Sequence, residues 1–363
     1  MKNWLRNAWY VAIGSAELAA GKPVARTILG EPVVLIRDAR GEVFALEDRC
    51  AHRGAPLSLG RLVGETRIQC PYHGLEFDMA GQCVRNPHGK GGIPPECRLR
   101  TYPVAERFGM LWLWTGDRAP EMDKLPVSDV LEPADGRLCS PVTLVRMAAP
   151  YEYVVDNLLD LSHASVLHEG VLGNAATLAA DIEVSQKGDS VTVRRSMRGV
   201  PPPEYSDLMF RGDGRPVDLW HDIRWEPPGN LLLDVGVTVP GGSRLEGTGS
   251  YGGHFLTPET EASTLYHFIA VRQNPIKRSE ADEARVMARM AELRVMAFSQ
   301  QDEPMIRAQY ENIRSASGNW KPCLLEIDSG VERWHRVMKR LLKEEQAPAV
   351  ASSGRAETPG LKA

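Results

Sequence analysis

Cys50-Ala51-His52-Arg53-Gly54-Ala55-Pro56-Leu57 and, further on, Cys70-Pro71-Tyr72-His73-Gly74 decide how this chain is read. A Cys-x-His pair and a Cys-x-x-His pair each fit on one tight turn, and two such turns together aim four ligating side chains at one place. The order Cys, His, Cys, His is informative. Thiolates are soft, charged donors for iron and sulfide, whereas imidazoles are neutral. Two of each around a two-iron cluster put both imidazoles on one iron and raise its reduction potential. Such a cluster passes one electron at a time. Zinc accepts the same four donors tetrahedrally. The familiar small zinc fingers, however, place both cysteines before both histidines, and this segment sits in a β-rich stretch that does not need a metal merely to fold.

The surroundings of these pairs read as strands. Residues 31–49 carry two apolar runs around Asp38-Ala39-Arg40-Gly41, a hairpin signal. Thr66 to Gln69, Leu75 to Phe77 and Met110 to Thr115 continue the pattern between turns rich in Gly, Pro and Asn. An all-β unit over 1–118 is predicted. Residues 119–141 lose periodicity and gain prolines and charge, as an exposed connection does. A second unit over 142–345 follows. Its pattern predicts a helix from Glu152 to about His168, six or seven antiparallel strands over 180–273, one helix from Ser279 to Ser315 opened by a Ser279/Asp282 capping box, and a helix from Gly330 to about Glu345. The fold class is therefore α+β: an all-β N-terminal domain, then a domain with a central antiparallel sheet flanked by helices. Residues 346–363 have few large apolar groups and are expected to form a disordered tail.

Composition narrows the class of function. The 363 residues call for two or three domains at roughly 150 residues each. With 43 basic and 47 acidic side chains the net charge is −4, and no basic stripe offers itself to nucleic acid. The first residues, MKNWLRNAWYVAIGSAEL, lack the apolar core of a secretion signal, and no apolar run is long enough to span a bilayer. Six cysteines are too few for a disulfide scaffold in a chain of this length. The expectation is a soluble cytoplasmic protein, where a labile cluster would be assembled. Cys83, Cys97, Cys139 and Cys323 match no ligand spacing and are expected to be small buried residues.

A second group of ligand-type residues lies in the stretch Asp156-Asn157-Leu158-Leu159-Asp160-Leu161-Ser162-His163-Ala164-Ser165-Val166-Leu167-His168. Residues five apart differ by about 140° round an α-helix, so His163 and His168 cannot face one metal from a straight helix. They can if the helix ends or widens after His163, and Gly170 is consistent with an ending. Two histidines and a carboxylate on one face of a metal form the arrangement with which non-haem iron(II) oxygenases bind oxygen beside substrate.

The two motifs together resemble the Rieske non-haem iron oxygenases, in the branch of vanillate O-demethylase-type enzymes. The resemblance runs from Asn7-Ala8-Trp9-Tyr10-Val11-Ala12 to the helix ending near Glu345. It departs at Ala51, where many relatives have proline, and at Ser162, where some have glycine. It implies that Cys50 and Cys70 hold one iron of a [2Fe-2S] cluster and His52 and His73 the other. It implies mononuclear iron on His163, His168 and a third ligand in Phe298-Ser299-Gln300-Gln301-Asp302-Glu303-Pro304, with Asp302 favoured over Glu303. Asp160 is implied as the bridge carrying electrons from His73 of one subunit to His163 of the next, which calls for a head-to-tail homo-oligomer, most simply a trimer. Asn157 is expected near the iron. His254, in a segment similar to the O-demethylase branch, is expected to touch the substrate.

The implied activity is that of the terminal oxygenase component of a monooxygenase. It would use O2 as cosubstrate to hydroxylate or O-demethylate a methoxylated or carboxylated aromatic compound. Gly247-Thr248-Gly249-Ser250-Tyr251-Gly252 spells a dinucleotide fingerprint, but it leads towards another strand and not a helix; Gly89-Lys90-Gly91-Gly92 likewise lacks a P-loop context. With no cofactor site for a reductase of its own, the chain is expected to need a separate NAD(P)H-dependent reductase, with or without a ferredoxin. The alternatives are ring dihydroxylation or another C–H hydroxylation within the family, an electron-carrying Rieske protein, and a structural zinc module.

Overall fold

The structure is a computed structural model and describes residues 4–64, 66–132, 138–316 and 320–347. The predicted tail therefore lies, from residue 348 onward, outside the described residues. The N-terminal part contains β1 (Trp9–Gly14), β2 (Val24–Ile28), β3 (Glu31–Arg37), β4 (Val43–Glu47), β5 (Arg61–Leu62), β6 (Arg67–Gln69), β7 (Glu76–Asp78), β8 (Cys83–Arg85), β9 (Thr101–Tyr102), β10 (Val104–Arg107) and β11 (Met110–Trp114). They form three antiparallel sheets, β1-β11-β10, β2-β3-β4-β9 and β5-β6-β7-β8. The β3–β4 hairpin closes where expected because Asp38 accepts the backbone N–H of Arg40 and of Glu42, each at 2.9 Å.

The C-terminal part contains β12 (Thr143–Met147), α1 (Tyr151–Leu159), β13 (Asp181–Lys187), β14 (Ser190–Val200), α2 (Glu204–Met209), β15 (Val217–Glu226), β16 (Asn230–Thr238), β17 (Thr248–Thr260), β18 (Ser263–Gln273), α3 (Glu280–Val295), α4 (Glu303–Ser315) and α5 (Ser329–Gln346). The seven strands make one antiparallel sheet in the order β12-β18-β17-β16-β15-β14-β13. Six of them fall within 180–273 as expected; β12 lies where no strand is predicted. Helix α5 packs close to the sheet at Gly330, where a Cβ would stand 2.5 Å from Val193.

Strand alternation sorts the two faces of β17. Phe255 turns towards the N-terminal part, with its ring 5.0 Å from Trp112 and 5.9 Å from Phe108, among buried Trp9, Trp114 and Ile269. Its neighbour His254 turns the other way, against Phe298 at 5.8 Å. A fully buried large apolar side chain contributes roughly 1.5–3 kcal/mol, so this aromatic layer is a firm joint between the two parts. Glu345 near the end of α5 adds to it by accepting the backbone N–H of Arg6 and of Asn7, both at 2.7 Å.

Four expectations are corrected. The helix predicted to reach His168 stops at Leu159, because the Asp160 backbone leaves helical values and its carboxylate accepts the Ser162 N–H at 3.0 Å, starting a 3-10 turn over Leu161–Ser165. The helix predicted over 279–315 is interrupted by a π-helical segment, Met296–Asp302. Leu125 and Leu131, in the stretch expected to be exposed, are buried in the aromatic joint. Finally, Cys83, Cys97 and Cys139 are only partly buried and Cys323 is exposed. Cys83 sits on the edge strand β8, which leaves one side open.

Candidate metal centres and substrate cavity

Cys50 and Cys70 occupy two copies of one turn. In each, the cysteine N–H donates to the carbonyl five residues on (Ala55 and Leu75, both 2.8 Å), and the glycine four residues on donates back to the cysteine carbonyl (Gly54 at 2.8 Å, Gly74 at 3.1 Å). Both glycines have φ of 71°, a left-handed conformation costly for a residue with a side chain. The repeated geometry explains why both motifs carry Gly four residues after Cys. Both cysteines are buried, and the His52 and His73 rings lie at the rim with centroids 4.6 Å apart. Burial, reinforced by Cys70 alongside, pushes the Cys50 thiol up to about 11. Two thiolates here call for a strongly positive partner. Paired buried sulfurs beneath paired outer imidazoles fit a two-iron cluster with one sulfur-bound and one nitrogen-bound iron.

His163, His168 and Asp302 offer ligand atoms that all lie within 4.8 Å of one another. Nε2 of His168 is 3.1 Å and Nε2 of His163 is 3.6 Å from Oδ1 of Asp302. The far nitrogens are held: Nδ1 of His163 donates to the Asp160 carbonyl at 2.5 Å, and Nδ1 of His168 to Oε1 of Gln301 at 2.7 Å. Both rings thus turn their Nε2 lone pairs towards the same carboxylate oxygen, an arrangement that a cation stabilises and that neutral packing does not. Burial holds His163 below the usual imidazole range, which keeps it in the ligating neutral form. Asn157 donates from Nδ2 to Oδ1 of Asp302 at 3.2 Å.

The breaks in the two predicted helices make this meeting possible. Ending α1 at Leu159 lets the 3-10 turn swing His163 and His168 together, with ring centroids 5.0 Å apart. Arg195 pins that turn by donating to the Ser162 hydroxyl at 2.7 Å. The π-helical segment inserts extra backbone per turn and re-aims Asp302 inward. Pro304, which has no N–H to give a regular α-helix, follows at once. Pro304 inside a helical pattern was the available signal for the interruption. Glu303 is taken instead by Arg307 at 3.3 Å. Asp160 reaches His163 through its backbone carbonyl and not its carboxylate; the residue lines an open depression with Glu152, Asp156 and His335.

Beside the three ligand-type residues lies a largely apolar cavity walled by Leu158, Leu161, Leu233, Val235, Phe268, Ile269 and Phe298. His254 lines it, while Trp220, Trp225 and His267, in the same sheet, do not. Nδ1 of His254 pairs with the Tyr266 hydroxyl at 2.6 Å, and its Nε2 is buried without a partner among the described residues. His221, Tyr205, Ser206 and Arg294 also line the cavity and were not anticipated. Arg294 had a signal: it shares helical spacing with buried Met290, Leu293 and Ala297, so a cation stands on an apolar stripe. The glycines of the false fingerprint serve close packing. A Cβ at Gly247, Gly249 or Gly252 would stand 2.7 Å from Trp220, 2.2 Å from the Val235 carbonyl and 2.6 Å from His254 Nε2 respectively.

Residues 8–103 match the Rieske [2Fe-2S] domain family, and residues 147–344 match the family described as vanillate O-demethylase oxygenase C-terminal domain. The chain is 36% identical over 348 residues to the dicamba O-demethylase oxygenase component of Stenotrophomonas maltophilia, covering 95% of this chain and 99% of that protein. It is 33% identical to the chloroacetanilide N-alkylformylase oxygenase component of Rhizorhabdus wittichii, covering 96% and 99%. A crystal structure of dicamba monooxygenase bound to 3,6-dichlorosalicylic acid superposes with a TM-score of 0.87 at 35% identity, covering 94% of this chain and 99% of that one.

Proposed function

Since the chain belongs to the Rieske non-haem iron oxygenases, as an oxygenase component with a [2Fe-2S] cluster and a mononuclear iron, we propose that it O-demethylates a small methoxylated aromatic acid held in the cavity. The observation that carries this reading is the convergence of His163, His168 and Asp302 at the wall of an apolar cavity. The balanced reaction takes a methyl ether, O2, two electrons and two protons to a phenol, formaldehyde and water.

In this reading Cys50 and Cys70 hold one cluster iron, His52 and His73 the other, and His163, His168 and Asp302 the mononuclear iron. The loaded centres supply electron storage and the activation of O2. Asn157 and Gln301 keep the donor set oriented. The apolar wall excludes water, and His254, neutral and with a free Nε2, takes a polar substituent of the substrate. The cluster domain is assigned to 1–118, the connection to 119–141 and the catalytic domain to 142–345. Electrons come from a separate reductase. The rim of exposed His52 and half-buried His73 and the open depression at Asp160 support a head-to-tail trimer, with Asp160 receiving His73 of the neighbouring subunit, and the labile cluster is the ground for placing the protein in the cytoplasm. Among the described residues no helix is long and apolar enough to cross a membrane.

The test is reconstitution of the iron-loaded protein with a compatible reductase and NADH, scored as O2 uptake and formaldehyde release from methoxybenzoates. Stoichiometric formaldehyde and phenol are expected. Ring diols, or O2 uptake without formaldehyde across the series, would overturn demethylation in favour of ring or other C–H hydroxylation.

A further inference from the structure

Arg294 is 6% exposed, yet among the described residues no carboxylate lies within ion-pair distance of it. Its Nη1 donates to the Tyr205 hydroxyl at 3.1 Å, and its Nε is buried with no hydrogen-bond partner among those residues. Two other buried arginines are provided for differently: Arg272 has a salt bridge to Glu283 at 3.2 Å, and Arg195 gives its N–H groups to the Ser162 hydroxyl and the Thr177 carbonyl. A guanidinium taken out of water without a counter-charge is costly, a cost that a ligand bringing the missing charge offsets.

The cavity leaves that charge to the ligand. Among the described residues Asp302 is the one carboxylate lining it, and its Oδ1 is engaged by His163, His168 and Asn157. Burial pushes both other imidazoles of the wall, His221 and His254, down to about 4, so they are neutral near pH 7. Arg294 and Asp302 lie eight residues apart on one run of helix, at most about 12 Å along its axis at the α-helical 1.5 Å per residue, since the π-helical segment between them rises less per residue. An arginine side chain and one substituted ring together cover that distance.

We propose that Arg294 anchors a carboxylate on the aromatic substrate, through the N–H groups that Tyr205 leaves free, and so sets which substituent faces His163, His168 and Asp302. The proposal rests on the oxygenase reading of the cavity and adds to it the residue that selects acids. Guanidinium suits the task because its planar fork can grip both carboxylate oxygens, which an ammonium cannot.

The experiment measures binding of 2-, 3- and 4-methoxybenzoate, and of the three matching methoxybenzamides, to the iron-loaded enzyme by calorimetry at pH 7.5. At least one acid is expected to bind about tenfold or more tighter than its amide, the range of a charge-assisted hydrogen bond. Arg294→Met removes that preference, and Arg294→Lys reduces it while amide binding stays level. If the Met variant misfolds, as judged by lost cluster absorbance, the Lys variant and Tyr205→Phe carry the test. No preference in the wild type, or a preference that survives in Arg294→Met or is unchanged in Arg294→Lys, overturns the anchor. The two readings separate: an Arg294-dependent preference without oxygenation counts against demethylation alone, and demethylation of acids and amides alike counts against the anchor alone.

Discussion

His168 donates from Nδ1 to Oε1 of Gln301 at 2.7 Å, and Gln301 is the chain neighbour of Asp302, whose Oδ1 lies 3.1 Å from the other nitrogen of the same ring. One π-helical turn therefore supplies a carboxylate and the group that orients the imidazole facing it. Partners that fix a ligating histidine typically govern metal affinity by about 10–100-fold. Gln301→Ala is expected to weaken mononuclear iron binding by that order and leave the cluster spectrum intact. Iron titration monitored alongside cluster absorbance checks it; unchanged iron affinity would remove Gln301 from the site.

Asp302→Ala and His168→Ala are expected to lose the mononuclear iron and all oxygenation while the [2Fe-2S] cluster stays reducible. Metal analysis and the electron paramagnetic resonance of the reduced cluster separate the two centres. Retention of full iron in both variants would point to other ligands.

Asp160→Asn is expected to keep both metal centres and the oligomer but to collapse turnover, if the carboxylate bridges subunits. Its backbone carbonyl still holds His163, so the local geometry is preserved. Single-turnover oxidation of the cluster, timed by stopped flow, reads the step directly, and near-normal rates would refute the bridge.

Gly252→Ala places a methyl 2.6 Å from Nε2 of His254 and is expected to raise KM strongly by turning that imidazole out of the cavity. Gly236→Ala meets the Trp220 ring at 1.8 Å and is expected to destabilise by about 1–3 kcal/mol, an overpacking cost, lowering Tm before it touches chemistry. Calorimetric melts and steady-state kinetics on both variants distinguish the effects.

Acid should weaken the fold. Burial lowers His221 and His254 to about 4 and His267 to about 3, against an unfolded imidazole near 6.5. Between those values the unfolded chain binds more protons than the native one, so stability is fully present above about 6.5 and declines as pH falls through the window. At pH 5 each histidine contributes a loss on the order of 2 kcal/mol. His267 lies away from the cavity, so His267→Phe is expected to flatten the Tm difference between pH 7 and pH 5. An unaltered difference would rule out His267 as a source.

The cluster motif was legible because its ligands, glycines and turn hydrogen bonds lie within a few residues of each other. Hairpins, the six central strands and α5 were legible through local periodicity. The ends of two helices were not. Asp160 stops α1 by a side-chain bond that competes with the next helical turn, and Pro304 accompanies a π-segment whose width periodicity does not encode.

By itself the sequence determined the donor types and the two-part organisation, since these follow from residue identity and short spacings, and through its resemblance to a known family it pointed to the class of redox chemistry. Only the tertiary structure decided that Asn157 meets Asp302 across 145 residues of chain, that His254 and not Trp220 or Trp225 faces the cavity, and that Arg294 is buried there with no carboxylate partner among the described residues. Those relationships depend on how distant segments pack, and what a side chain costs or contributes is set by the neighbours that packing brings to it.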